Sequence, residues 1–546
     1  ELLWETPSSG DSLLTFGHVE VQRVLYDDMG PLRRRKLHRQ AGEALERRLL
    51  PDPGSAAEEL AYHFKEADEV EKGLVYAIQA ARRAQADYAN DTAVHWFDTP
   101  LEMLDQLDPE KSPSFQQMRL SVHRFCGEVL TRTGRYDQAL DHYAAARKLV
   151  EAAGKSHEQG RQMAALCAAT AEVLEKRSEY DTAFRWIDRG LSYLNSDQAT
   201  DEAAGLYLIG AQAYDHQGKL DLAIDWCQKS LVIASPLETR ESQQTMAKAY
   251  TRLSAICLVR GYLDLVIHFC QESIGIYEQI DDTVNQVGPY RNLGAAHFDL
   301  GNWQKAQEAY TKSMAIAQMI GDVDGFGRAT NLLANLFLNQ GKWAEALDLL
   351  YQNQETWRQI GMARDEAVTT NHMAQVYIYQ QDWVKAQECL TRSQAIIEGV
   401  GAADYLPALE RRWGEFWLGT GEQDKALEHV RRSVELAKSQ TTPLEEGKSY
   451  RMLGQVYLAQ GKTQQAEQAL AHSLKVLTNY YIPYEAARTR MLLARVALAT
   501  GNQNHANHYL DEAQKIFESL HSEFNLAEVR KLIKQLDSQP APQVKD

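Results

Sequence analysis

The sequence predicts an all-α fold of stacked helix–turn–helix units, about ten or eleven of them, with a small α/β segment in front. Two observations predict the array. A turn marker recurs at Gly134, Ser178, Gly218, Gly261, Gly301, Gly341, Gln381, Gly421, Gly461 and Gly501, and from Gly261 onward every step is 40 residues. Five residues after each marker stands alanine in nine of the ten cases, and Val266 in the other. Self-similarity at a fixed period marks units that cannot bury their apolar faces alone and must stack to do so.

Each unit reads as two helices. In the unit around Gly301, Tyr290, Leu293, Gly294 and Phe298 recur at helical spacing and end at Gly301, which can take positive φ without a Cβ penalty and so turns the chain. Trp303 and Ala306 open the second helix. Small residues at Gly294 and Ala306 allow close approach of the two helices, while Tyr310 and Ile316 fill the space between units. A second turn signal closes the unit at Ile320-Gly321-Asp322. Ser178 and Gln381 replace the turn glycine, so less sharp turns are expected there.

The spacing Leu293-Gly294, Gly301, Trp303, Ala306, Tyr310 resembles the tetratricopeptide repeat, here about six residues longer than the basic unit. The longer unit is similar to the extended-helix variety of bacterial regulators and kinesin light chains. The resemblance implies a right-handed superhelical solenoid over 119–536, preceded by connecting helices and a degenerate first unit over 51–118. Ala80, Ala81, Ala93 and Phe97 hold that unit's register, and Pro100 disturbs its second helix. Residues 537–546 read as a disordered tail.

Residues 1–50 differ. Two short strands around Pro7-Ser8-Ser9-Gly10-Asp11 read as a hairpin, followed by two helices with Gly30-Pro31 between them. Phe16-Gly17-His18, Tyr26 and the run Arg33–Arg39 resemble the winged-helix module of the STAND class of signal-transduction ATPases. Leu60-Ala61-Tyr62-His63-Phe64 resembles its connecting helices. The resemblance implies a nucleotide-sensing role for His18 toward the β-phosphate of ADP. It also implies a sensor role for the array and ATP or ADP in a domain upstream of Glu1; no cofactor is expected in this segment. A chain that opens inside a strand without methionine is expected to be part of a longer polypeptide. A free-standing adaptor is the alternative. The run Arg33–Arg39 reads as a phosphate- or DNA-contacting face, as a solvated basic helix face, or as a face docked on an acidic domain upstream.

Composition narrows the function. Hydrophobic residues make up 44% and charged residues 24%, a folded composition, and the net charge of −17 disfavours nucleic acid as a partner of the solenoid. No apolar run is long enough to cross a membrane, and a cytoplasmic protein is expected. Six scattered cysteines with no CxxC pair read as buried thiols.

The motifs of catalysis are missing, and no enzyme is expected. Gly154-Lys155-Ser156 lacks the upstream glycine of a phosphate loop, since position 149 is leucine. His505 and His508 share a helix face without a third ligand. Glu445-Glu446 reads as a helix start favoured by the dipole.

What remains is the face lined by the first helix of each unit. Counting ten residues back from the marker gives Arg291, Asn331, Asn371, Arg411 and Arg451; counting six back gives Asn335, Gln375 and Gln455 among others. These positions are expected to face solvent. Amides can pair with peptide N–H and C=O groups, and guanidinium groups capture carboxylates. The ladder therefore predicts a protein or peptide partner of acidic character, with signal-dependent self-association as a further expectation.

Overall fold

The computed structural model describes residues 3–8, 11–16, 19–49, 53–86, 113–132, 134–154, 156–195, 198–359, 361–400, 402–520 and 522–537. They form two compact units, Glu1–Ala213 and Tyr214–Asp546.

The first unit opens on a two-stranded antiparallel hairpin, β1 (Leu3–Ser8) and β2 (Asp11–Phe16), with Leu3 opposite Phe16 and Ser8 opposite Asp11. The helices α1 (Val19–Asp27), α2 (Pro31–Arg48), α3 (Ala57–Glu66) and α4 (Val70–Ala86) follow. Pro31 starts α2 at a position where a missing N–H costs nothing. The hairpin is the whole sheet among the described residues, so a complete winged helix is not supported. Of the degenerate first unit, Ala80 and Ala81 are buried in α4, while Ala93, Phe97 and Pro100 lie outside the described residues. Then come α5 (Pro113–Arg132), α6 (Tyr136–Ala152), α7 (His157–Lys176) and α8 (Tyr180–Ser192). Helix α9 (Asp201–His216) contains the boundary between the units.

Among the described residues the second unit is a series of helical hairpins: α10 (Leu220–Ala234), α11 (Arg240–Arg260), α12 (Leu263–Gln279), α13 (Val287–Asp299), α14 (Trp303–Met319), α15 (Val323–Gln340), α16 (Trp343–Gln359), α17 (Ala363–Gln380) and α18 (Trp383–Val400). It continues through α19 (Leu406–Gly419), α20 (Gln423–Ser439), α21 (Pro443–Ala459), α22 (Thr463–Asn479), α23 (Pro483–Ala499), α24 (Gln503–Ser519) and α25 (Glu523–Asp537).

The repeated residues do the packing that the sequence assigned to them. The ten small residues that follow the markers, Ala139 to Ala506 and Val266 included, are all fully buried. All ten markers take positive φ, and Ser178 and Gln381 do so at 63° and 61°. Their turns are therefore as sharp as the glycine turns, at the cost of placing a Cβ in the left-handed region. A Cβ on Gly294 would lie 2.6 Å from the Tyr310 ring, so the bare backbone is what lets α13 meet α14.

A second repeated device was not foreseen. Ser273, Ser313, Asn353, Ser393, Ser433 and Ser473, each twelve residues after a marker, donate at 2.7–2.9 Å to a carbonyl 26 residues earlier. Each bond ties the second helix of a unit to the start of its first helix and satisfies a buried backbone oxygen.

The array of the second unit also closes on itself. Trp303, at the start of α14, meets Tyr484 of α23 edge-on with ring centroids 4.8 Å apart. Trp343 meets Phe524 at 5.5 Å, and Gly301 lies against Leu520. One continuous core joins Trp303, Tyr310 and Leu336 to Tyr484, Phe517 and Leu526. Units about 180 residues apart in sequence are thus side by side, which turns the inner face of the array into an enclosure.

Candidate functional site: a closed polar interior

The first helices of successive units, α13, α15, α17, α19, α21 and α23, project into this enclosure. It holds a cavity of about 120 Å³. The structure brings Asn335, Asn371, Gln375, Arg411 and Arg451 together in its wall, while Arg291, Asn331 and Gln455 lie outside that lining. The expectation of solvent-facing side chains is corrected: Asn331, Asn371, Gln375 and Arg451 are buried. The cause is the closure of the array, which no single unit encodes.

The ladder residues are engaged with their neighbours in a regular way. For Asn371, Arg411 and Arg451, the residue ten before one marker reaches the residue sixteen before the next, 34 positions on. Asn371 Nδ2 donates to Tyr405 Oη at 3.1 Å, Arg411 pairs with Glu445 at 3.2 Å, and Arg451 pairs with Glu485. Gln375 donates to Tyr379 Oη at 3.0 Å and accepts from Arg412, which also pairs with Glu415. Arg488 donates to Tyr379 Oη at 3.2 Å and lies 3.7 Å from Glu485. Asn331 is structural: its Oδ1 lies 3.0 Å from Thr369 Oγ1, which also receives the Trp357 indole N–H. Asn335 accepts from Asn339 at 3.1 Å. Arg291 is a partly buried cation whose basicity falls through burial and the neighbouring Arg328.

Charge sets the character of the interior. Burial pushes the Glu445 carboxyl up, but Arg411 and Lys448 outweigh it and hold it at about 2. Burial also opposes ionisation of Glu485, and Arg451 and Arg488 hold it well below the usual carboxylate range. His372 is kept neutral, driven down to about 3 by burial and by Arg412, Lys448 and Arg411. Asp299 is raised to about 6 by burial, against the pull of Lys448. Three polar atoms in the wall, Asn371 Oδ1, His372 Nδ1 and Arg412 Nε, are buried with no hydrogen-bond partner. An unmet buried polar group costs about 1–3 kcal/mol, so such atoms mark places where another group fits.

Sequence reasoning missed Lys448, Glu485, Arg488, Arg412 and His372. It read Glu445 as a dipole-favoured helix start; Glu445 does sit in the first turn of α21, and it also closes on Arg411. The signal was present as acids at positions 445 and 485, one 34-residue step after Arg411 and Arg451.

The other candidates resolve simply. His18 lies outside the described residues. Tyr26 Oη is 2.8 Å from His38 Nε2, and His38 Nδ1 is 3.0 Å from His63 Nδ1, so three residues of the resembling N-terminal motifs meet. In the basic run, Arg35 pairs with Asp68 and Arg39 with Glu69. Ser156 caps α7 by accepting from Gln159 N, and Lys155 lies outside the described residues. His505 bonds to the cap Asn502, His508 lies 3.7 Å from Glu512, and no metal-binding group of three forms among the described residues. Five of the six cysteines are buried, and Cys389 is half-buried. No described helix is long and apolar enough to cross a membrane.

Family models match the hairpins on which this interior is built. The tetratricopeptide-repeat model matches residues 325–399, 405–479 and 445–519, and a second tetratricopeptide model matches 120–145. The chain carries a tetratricopeptide-repeat region. Among solved structures, a Rap protein complexed with competence and sporulation factor is similar at 12% identity and a TM-score of 0.53, over 66% of this chain and 98% of that one. The apo form of RapI follows at 13% and 0.45, over 68% and 98%, and yeast Tom70 at 10% and 0.37, over 86% and 100%. The first bears on the fold, a helical tetratricopeptide-type solenoid. No curated protein matches the sequence. In these repeats the first helices line the interior described above, and the markers Gly341, Gln381, Gly421, Gly461 and Gly501 fall inside the matched spans.

Proposed function

We propose that this protein is a protein-interaction scaffold whose tetratricopeptide repeats hold an extended peptide segment in the interior of the second unit. One observation carries the reading: amide and guanidinium side chains from consecutive units converge on one cavity in which Asn371 Oδ1 and Arg412 Nε are unmet. Amides at regular spacing suit a peptide backbone, and guanidinium groups suit its acidic side chains. The similar Rap protein was solved with a bound factor, which supports a ligand-binding use of such a solenoid. No catalytic role is assigned to the segment. The test is selection of peptides from a displayed random library on the full chain, with Asn371→Ala and Arg411→Ala as counter-screens. Peptides that lose binding to both variants are expected; a selected pool indifferent to both refutes the site.

The regulatory setting we favour is the sensor arm of a STAND-type signalling NTPase in the cytoplasm, with a free-standing adaptor as the alternative. The hairpin and the meeting of Tyr26, His38 and His63 support the first. Sequencing the gene upstream of Glu1 decides between them: a phosphate-loop domain there supports the sensor arm, and its absence supports the adaptor.

A further inference from the structure

The interior holds more positive than negative charge. Arg411, Arg412, Lys448, Arg451 and Arg488 face it as five cations. Their carboxylate partners are three, Glu415, Glu445 and Glu485. Asp299 is a fourth when ionised. The surplus is therefore one positive charge with Asp299 ionised and two with it protonated, inside a protein whose net charge is −17. An uncompensated charge away from water is costly, and the natural remedy is a counter-charge. The unmet donor Arg412 Nε and the unmet acceptor Asn371 Oδ1 share that space; Asn371 is 1% exposed and Arg412 4%. A ligand that satisfies both brings a negative group and an N–H together, as an acidic peptide does.

The cavity of about 120 Å³ admits a carboxyl group but not a peptide with its neighbours. Room must come from what already fills the interior. Glu445 and Glu485 are the fillers best placed to leave. Each sits in the first turn of its helix, α21 or α23, where the helix N-terminus still favours the carboxylate after its arginine has been given up.

We propose that Glu445 and Glu485 are internal occupants of a carboxylate-binding site, and that a peptide carboxylate takes their place on Arg411 and Arg451. The proposal rests on the interior being the peptide site. In the resting protein the two glutamates keep the guanidinium groups paired and the array closed. In the bound protein the ligand carboxylate holds them, its backbone N–H reaches Asn371 Oδ1, and the glutamates turn back to their own helix ends. Affinity is then a difference between two ion-pair sets, so selectivity for acid arises from exchange and not from an empty pocket.

The test is fluorescence polarisation of the full chain with three labelled peptides: Gly-Ser-Glu-Glu-Ser-Gly with an amidated C-terminus, the same peptide with Gln for both Glu, and that Gln peptide with a free carboxylate. The amidated Glu peptide is expected to bind if side chains supply the carboxylate, and the free-acid Gln peptide if the C-terminus does; the amidated Gln peptide is expected to bind at least about tenfold more weakly than whichever binds. Glu445→Gln and Glu485→Gln are each expected to tighten binding by about fivefold, because a competitor is removed, while Arg411→Gln and Arg451→Gln weaken it by about tenfold or more. Circular dichroism checks the fold of each variant, and if Glu485→Gln is misfolded, Glu445→Gln carries the test. Weaker binding by a folded Glu→Gln variant overturns the exchange, as does equal binding of all three peptides or binding of none. Selected neutral peptides that need Asn371 but not the charges would keep the interior as a peptide site and overturn the exchange alone.

Discussion

The closure of the second unit is the feature on which the interior depends, and a double-mutant cycle at Trp303 and Tyr484 measures it. Both side chains are nearly fully buried, at 3% and 4% exposure, and their rings meet edge-on at 4.8 Å across 181 positions of sequence. Truncating a buried tryptophan to alanine costs about 3–5 kcal/mol, and the tyrosine a similar amount. Edge-to-face aromatic pairs add about 0.5–1.5 kcal/mol beyond the area they bury. The double variant Trp303→Ala/Tyr484→Ala is therefore expected to be less destabilised than the sum of the single variants by about 1 kcal/mol. Urea denaturation of the four proteins followed by far-ultraviolet circular dichroism gives the coupling. Trp303 also stacks on Phe298 of its own unit at 6.1 Å, so a parallel cycle with Phe298→Ala separates the local contact from the seam. Additivity of Trp303→Ala and Tyr484→Ala within about 0.3 kcal/mol would show that the two units do not touch and would refute the enclosure.

Other consequences follow from single residues. Ser433→Ala removes a buried bond to the Pro407 carbonyl and is expected to cost about 1 kcal/mol by denaturant midpoint; no change would sink the shared role of that position. Gln381→Gly relieves a left-handed side chain and is expected to stabilise by about 0.5–1 kcal/mol, whereas Gly341→Ala, at φ 82°, is expected to destabilise by about 1. Stability should also fall with acid. His372 titrates at about 3 in the folded chain against 6.5 for the free group, so between those values the unfolded chain binds the extra proton and folding weakens as pH drops. Glu445, held at about 2 against 4.5, extends the loss below pH 4.5. Asp299, raised to about 6 from 3.8, acts in the opposite sense between those values. His372→Asn should flatten the dependence of thermal midpoint on pH below 6.5, and Asp299→Asn should steepen it; reversed slopes would contradict the assignments.

Much of the array can be read from local chemistry. Each turn needs a left-handed residue and each hairpin a small residue at the contact, and these demands fall on the same positions in every unit. Gly301 and Ala306 are legible for that reason. Ser433 and its counterparts were not, because a serine in a helix signals nothing until its acceptor, 26 residues away, is known. The interior was half legible. Counting back from the markers found Arg411, Arg451 and Asn371, since helix periodicity fixes which side chains share a face. It missed that Asn371 and Arg451 are buried and that all three are paired, because burial comes from Trp303 meeting Tyr484, a contact between units far apart in sequence. Glu485 sits in the first turn of its helix, where any carboxylate is favoured, and only the preceding unit's Arg451 gives it a second role.

A crystal structure of the full chain with the amidated peptide Gly-Ser-Glu-Glu-Ser-Gly tests the central claim most directly. The expected result is a peptide carboxylate within hydrogen-bond distance of Arg411 or Arg451, with Glu445 or Glu485 released to its own helix end. A peptide bound on an outer face, with the Arg411–Glu445 and Arg451–Glu485 pairs intact, would contradict it.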